Sequence, residues 1–146
     1  MIRIQANILS ETIEIDLAKP EDAEQIVQVQ REAWLATYPN DACGITHENI
    51  AAMDFTSPDR IASWQKHVAN DADRKFWVAK VAGQVVGYCV ARAASEAGPG
   101  RLQAIYLLPE FQGKGIGKIL MQKAIGWLGR TVDITLDVAT YNTAAI

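Results

Sequence analysis

The stretch from Arg101 to Leu128, RLQAIYLLPEFQGKGIGKILMQKAIGWL, narrows the folds this chain can adopt more than any other. Arg101 to Leu108 is an apolar run with β-branched and aromatic residues, of strand length, and Pro109-Glu110 turns the chain out of it. Ile116, Ile119, Leu120, Ala124, Trp127 and Leu128 then recur at helical spacing. A strand therefore feeds a helix through a glycine loop. In Gln112-Gly113-Lys114-Gly115-Ile116-Gly117, glycine returns at every second position just where the helix begins, so several backbone N–H groups face outward with no side chain in front of them. The orphan donors of a helix start, together with the positive end of its dipole, draw phosphate to such a place.

Residue types separate the phosphate-binding readings. A Walker P-loop needs glycine five residues before its Gly-Lys pair and Ser or Thr after it, where this chain has Gln112 and Ile119. A dinucleotide fingerprint starting at Gly113 and Gly115 meets Lys118 where its third glycine should stand, and no first Rossmann strand opens the domain. A glycine turn that merely lets a helix pack tightly on its strand stays open. The pattern Q-x-x-G-x-G, preceded by a strand ending in Leu-Leu-Pro-Glu, resembles the acetyl-coenzyme A motif of the GNAT N-acetyltransferases.

The rest of the chain sets bounds. With 146 residues, 49% of them hydrophobic and 21% charged, it is long enough for one soluble globular domain, 1–146, with a real core. The net charge of -3 and the lack of a basic cluster leave a nucleic-acid partner without electrostatic support. Cys43 and Cys89 lie far apart, as buried or incidental thiols do, so neither a disulfide nor a metal site is expected and a cytoplasmic setting fits. No stretch approaches the ~20 apolar residues of a membrane span, and the N-terminus lacks the flank and apolar core of a signal peptide. No membrane partner is expected.

Taken in order, Met1 to Leu17 alternates in part and predicts one extended strand after a loose leader. Lys19-Pro20-Glu21-Asp22 opens a helix whose apolar face carries Ala23, Ile26, Val27, Ala33, Trp34 and Thr37, and Pro39-Asn40 ends it. Thr46 and Ser57 read as helix N-caps, the second heading a short segment with Ile61, Trp64 and Val68 on one face. Phe76 to Val81 and Gln84 to Ala93 form a hairpin around Ala82-Gly83. Gly129 stops the long helix, and Val132, Ile134, Leu136 and Val138 alternate in a final strand that makes a βαβ unit with the fourth.

The order strand, two helices, three strands, helix, strand is also that of the GNAT core. The resemblance implies an α/β fold (α+β by some schemes): a mixed sheet with helices on both faces and parallel fourth and fifth strands splayed apart. It implies acetyl-coenzyme A as cosubstrate, with its pyrophosphate on the amides of Gln112, Gly113, Lys114, Gly115, Ile116, Gly117 and Lys118. Lys114 and Lys118 add charge there, or simply face solvent. It further implies a bulge near Ile105, Tyr106 and Leu107 that exposes a strand edge to the pantetheine arm, with the Ile105 amide polarising the thioester carbonyl. Asp137 matches an acidic position that some members use as base, although alternation alone would also put it in water. Asn142 matches a residue that contacts the coenzyme. The region after the first helix walls the acceptor site in the family, which makes Trp34, Tyr38 and His47 candidates for substrate contact or for plain packing and exposure.

Leu136, Val138, Asn142 and Ala145 match the family pattern L-x-V-x-x-x-N-x-x-A. In the family a helix continues from there to an aromatic pair and two more strands come after it. The resemblance thus implies a domain incomplete at its C-terminal end, lacking the last helix, the final strands and the tyrosine that protonates the leaving thiolate. Either a homodimer that covers the bare edge or a chain cut within the domain is expected, with catalysis weakened or absent. The function expected is N-acetyl transfer from acetyl-coenzyme A directly to a primary amine of a small molecule or protein. The acidic net charge leans toward a cationic acceptor such as a polyamine or aminoglycoside. The alternative is a non-catalytic acyl-coenzyme A binding or regulatory module.

Overall fold

Alternating apolar residues lay down strands that pair in chain order in one sheet: β1 (Ile2–Ile8), β2 (Glu11–Leu17), β3 (Arg74–Val81), β4 (Gln84–Arg92), β5 (Gly100–Leu107) and β6 (Ile134–Thr135). The structure is a computed structural model and describes residues 2–8, 11–68, 70–129 and 133–136. Each strand from β1 to β4 is antiparallel to the next, and β6 runs parallel to β5. Between them lie α1 (Ala23–Thr37), α2 (His47–Ala51), α3 (Pro58–His67) and α4 (Ile116–Leu128).

Both faces of the sheet are covered, which is why residues 76–79 of β3 and 85–91 of β4 read as continuous apolar runs rather than as alternating ones. Trp77, Ala79, Val81, Cys89 and Ala91 face α4, which returns Ile116, Leu120, Ala124 and Leu128 from one stripe. Phe76, Val78, Tyr88 and Val90 face the other way, onto Ile26 and Val29 of α1. Ile116 and Leu120 are completely buried, each stabilising the fold by roughly 1.5–3 kcal/mol. The expected caps form: Thr46 Oγ1 accepts from the Asn49 N–H at 3.0 Å and Ser57 Oγ from the Arg60 N–H at 3.3 Å. The Ala82-Gly83 turn closes the β3–β4 hairpin with φ of 51° and 79°. No helix among the described residues is long and apolar enough to cross a membrane.

Two expectations change. The segment read as a loose leader contains a strand: Ile2 and Ile4 pair with Ile15 and Ile13, so β1 and β2 form an antiparallel pair in place of one strand. The reason is that both halves of that segment alternate with the same period, and register then joins them. The bulge expected near Ile105 to Leu107 lies earlier. Val90 pairs with Ala104 and Ala91 with Leu102, leaving Gln103 as the extra residue. Leu102 and Ile105 both pack toward α4 while Ala104 and Tyr106 pack toward α1, and an inserted residue is what lets the side-chain alternation change phase between them.

The pairing beyond the bulge sets where main-chain groups point. The Leu108 N–H donates to the Val86 carbonyl at 2.9 Å, so by antiparallel alternation Ala104 and Tyr106 also turn their N–H and C=O groups to β4. Ile105 and Leu107 turn theirs the other way. On that side β6 pairs with Gly100 and Arg101 among the described residues.

Candidate active site

The loop between β5 and α4 begins with a tight turn at Pro109–Phe111, in which the Gln112 N–H donates to the Pro109 carbonyl at 3.2 Å. The chain then takes left-handed backbone at Gly113 (φ 74°) and at Gly115 (φ 86°), the N-cap of α4. A side chain at either would meet the Cβ–carbonyl clash that keeps L-residues out of this region. The first bond of the helix runs from the Ile119 N–H to the Gly115 carbonyl at 3.2 Å, and no side chain caps the start. The N–H groups from Gly113 to Lys118 consequently have no acceptor among the described residues. The donor run starts one residue later than expected, because the Gln112 amide is spent on the turn.

These donors open on a cleft of about 520 Å³, a size suited to a small-molecule ligand. Four parts of the chain wall it. Ala33, Thr37 and Tyr38 come from α1 and its end, and Leu102 to Leu107 from β5. Gln112, Gly113, Gly115, Gly117, Lys118 and Met121 come from the loop and α4, with Leu136 closing the far side. Lys118 is the one charged side chain among these residues. The Gln112 side chain reaches back so that its Nε2 donates to the Leu107 carbonyl at 3.3 Å, tying the glycine loop to the outward edge of β5.

Of the residues singled out in the sequence, Tyr38, Ile105, Tyr106, Leu107, Gln112, Gly113, Gly115, Gly117 and Lys118 meet in this cleft. Lys114 is exposed and stands outside its wall. Ile116 points its side chain into the core beneath α4 and offers only its N–H. His47 is exposed at the start of α2, apart from the cleft. Asp137 and Asn142 lie outside the described residues. Trp34 stands behind the wall, edge-on to Tyr38 at 5.4 Å and to Phe55 at 5.6 Å between ring centroids.

A hydroxyl pair went unforeseen. Tyr38 Oη and Tyr106 Oη lie 3.1 Å apart at the α1 side of the cleft. Sixty-eight residues separate them, so no spacing rule could have joined them. The signal that existed was only that each was already a candidate by itself. Beside them, burial pushes the Tyr88 phenol well above its usual range, with Tyr106 and Tyr38 adding to the effect. Burial likewise pushes the Cys89 thiol up to about 12. Both groups remain neutral at physiological pH. Among the described residues no group of His, Cys, Asp and Glu is arranged to hold a metal ion. The arrangement presents a run of bare N–H donors for a polyanion beside an outward-facing strand edge that can pair with an amide chain.

Comparison with known proteins agrees with that chemistry. Residues 24–146 match the model of the acetyltransferase (GNAT) family. No curated protein sequence matches the chain. Among solved structures it is similar to the PaiA N-acetyltransferase of Thermoplasma acidophilum in complex with coenzyme A, at 25% identity and a TM-score of 0.68, over 91% of this chain and 83% of that one. It also resembles the aminoglycoside N-acetyltransferase AAC(6')-Iy in complex with CoA, at 16% identity and a TM-score of 0.62, over 92% and 82% of the two chains. An aminoglycoside acetyltransferase from an uncultured soil metagenomic sample, in complex with sisomicin, gives 14% identity and a TM-score of 0.60 over 91% and 82%. At such identities the last two show a shared fold.

Proposed function

This chain belongs to the GNAT acetyltransferase family, and from that premise we propose that it moves an acetyl group from acetyl-coenzyme A directly to a primary amine. The observation that carries the reading is the run of N–H groups from Gly113 to Lys118 without an acceptor among the described residues, set in the same cleft as the outward main chain of Ile105 and Leu107. The amides from Gly113 to Lys118 hold the pyrophosphate, with the Lys118 ammonium beside them. The pantetheine amides pair along Leu107 and Ile105 as an added strand, displacing the Gln112 side chain from the Leu107 carbonyl.

The Ile105 N–H then faces the thioester carbonyl. A donor aimed at the oxygen on which charge develops contributes about 3 kcal/mol to the transition state. The amine nitrogen, once deprotonated, attacks the carbonyl carbon; the C–S bond breaks and the coenzyme leaves as a thiolate that takes up a proton. Asp137 accepts the ammonium proton, directly or through water, and Asn142 contacts the coenzyme. No metal and no acyl-enzyme enter the scheme.

Titration calorimetry with acetyl-coenzyme A, followed by thiol release over a panel of amines, tests this. Binding followed by amine-dependent thiol release is expected. Binding without release on any amine would leave an acyl-coenzyme A binding module in its place, and absence of binding would remove both. Asp137→Asn is expected to lower kcat by ~100-fold or more with acetyl-coenzyme A affinity unchanged.

A further inference from the structure

The cleft has two mouths. Leu102, Ile105 and Leu107 face α4, where Gly117, Lys118 and Met121 complete that wall; Ala104 and Tyr106 face α1, where Ala33, Thr37 and Tyr38 complete the other. The bare amides lie at the α4 mouth, so under the acetyl-transfer reading the amine enters from α1. Resting on that reading, we propose that the α1 mouth selects a primary amine with a single ammonium on an apolar or aromatic body, and that the Tyr38–Tyr106 hydroxyl pair is its polar anchor.

Ring arrangement and charge together lead there. Tyr106 is flanked by Tyr88 at 5.7 Å and by Trp34 at 6.5 Å between centroids, and Trp34 stands edge-on to Tyr38. Of these rings, only those of Tyr38 and Tyr106 lie on the cleft wall, with Trp34 and Tyr88 packed behind them, and an ammonium set against those two rings is attracted by their quadrupoles. Whichever way the proton lies in the 3.1 Å contact, the Tyr106 hydroxyl keeps a lone pair able to accept an N–H. The body of the ligand would then rest on Ala33, Ala104 and the tyrosine rings.

A polyamine or aminoglycoside demands something else. Each further ammonium brought out of water needs a carboxylate opposite it. The described residues that wall the cleft include no Asp or Glu, and their single charge, Lys118, is of the wrong sign. A carboxylate at Asp137, where the transfer scheme puts the base, would serve the reacting nitrogen, and the described residues of the wall add no other for a second cation.

The test measures initial rates of thiol release from acetyl-coenzyme A with phenethylamine, butylamine, spermidine and kanamycin, using the wild-type chain, Tyr38→Phe and Tyr106→Phe. Phenethylamine or butylamine should exceed spermidine and kanamycin in kcat/KM by about tenfold or more. Each tyrosine variant should raise the KM of the preferred amine roughly fivefold, the worth of one hydrogen bond, while the KM of acetyl-coenzyme A stays within about twofold. Should Tyr106→Phe fail to fold, Tyr38→Phe, at the end of α1, decides alone. A preference for spermidine or kanamycin overturns the proposal, as does an unchanged amine KM in the folded variants. Acetyl-coenzyme A that binds in calorimetry with no amine turned over overturns it too and leaves the donor site standing. Absence of binding overturns the donor-site reading itself.

Discussion

Leu107 occupies the space that a side chain at Gly87 would need: its Cδ2 overlaps the position a Cβ would take there, and its Cγ lies 3.2 Å from it. The same side chain reaches across to α4, where its Cδ1 is 3.3 Å from the Cβ position of Gly117. One leucine thus sets β4, the outward edge of β5 and the start of α4 at a fixed separation. Gly87→Ala should shift Leu107 and the Tyr106 carbonyl behind it, costing about 1–3 kcal/mol as overpacking does. Gly117→Ala asks only a few tenths of an ångström of a flexible tip and should cost less. Urea unfolding midpoints rank the two.

Gly115 holds φ at 86° where α4 begins, with nothing within 4 Å of its Cβ position. Space is therefore not the constraint; backbone conformation is. Gly115→Ala should cost ~1–2 kcal/mol to keep the loop in place. Where the loop relaxes instead, the amides lose their common aim, and acetyl-coenzyme A affinity should fall by about tenfold in calorimetry.

The pairing of Ala104 with Val90 and of Ile105 with Cys89 determines which main-chain groups face the cleft, and Gln103 is the unpaired residue just before it. Its side chain is exposed, so Gln103→Ala should leave acetyl-coenzyme A affinity within about twofold. Deleting Gln103 leaves Leu102 opposite Ala91, Ala104 opposite Val90 and Ile105 opposite Cys89 in plain alternation, so the Ile105 N–H keeps its outward aim. Calorimetry should then show acetyl-coenzyme A affinity within about tenfold of the intact chain, with circular dichroism reporting a folded sheet.

Cys89 is fully buried and its thiol is pushed up to about 12, above the 9.0 of a free thiol, by desolvation. The folded state keeps this proton in a range where the unfolded chain has released it. Stability from this group is complete below pH 9 and is lost as pH rises toward 12, at up to ~1.4 kcal/mol per pH unit. Tyr88 acts in the same direction above pH 10. Denaturant midpoints should fall across this window, and Cys89→Ala should flatten the fall between pH 9 and 10. In the native protein a thiol reagent should modify the exposed Cys43 and spare Cys89.

Local chemistry made much of this molecule readable. Thr46 and Ser57 cap helices because a hydroxyl at that position meets an N–H three residues on, whatever lies elsewhere. The Ala82-Gly83 hairpin and the glycine start of α4 obey rules of similar range. Ile2 and Ile4 were harder: their alternation was visible, but whether it meant a leader or a strand depended on Ile13 and Ile15 standing opposite. The bulge was expected on the right strand but two residues too late, since the phase of β5 depends on how Leu102 and Ile105 both reach α4.

By itself, then, the order of residues determined the element types, the βαβ unit and the donor-rich helix start, because each arises from contacts within a few residues along the chain. Tertiary structure alone decided that Ile105 turns its N–H away from β4, that Leu107 spaces three elements at Gly87, and that Tyr38 meets Tyr106 across the α1 mouth. Those outcomes rest on strand register and on packing between segments far apart in sequence, where a shift of one residue exchanges every inward and outward group.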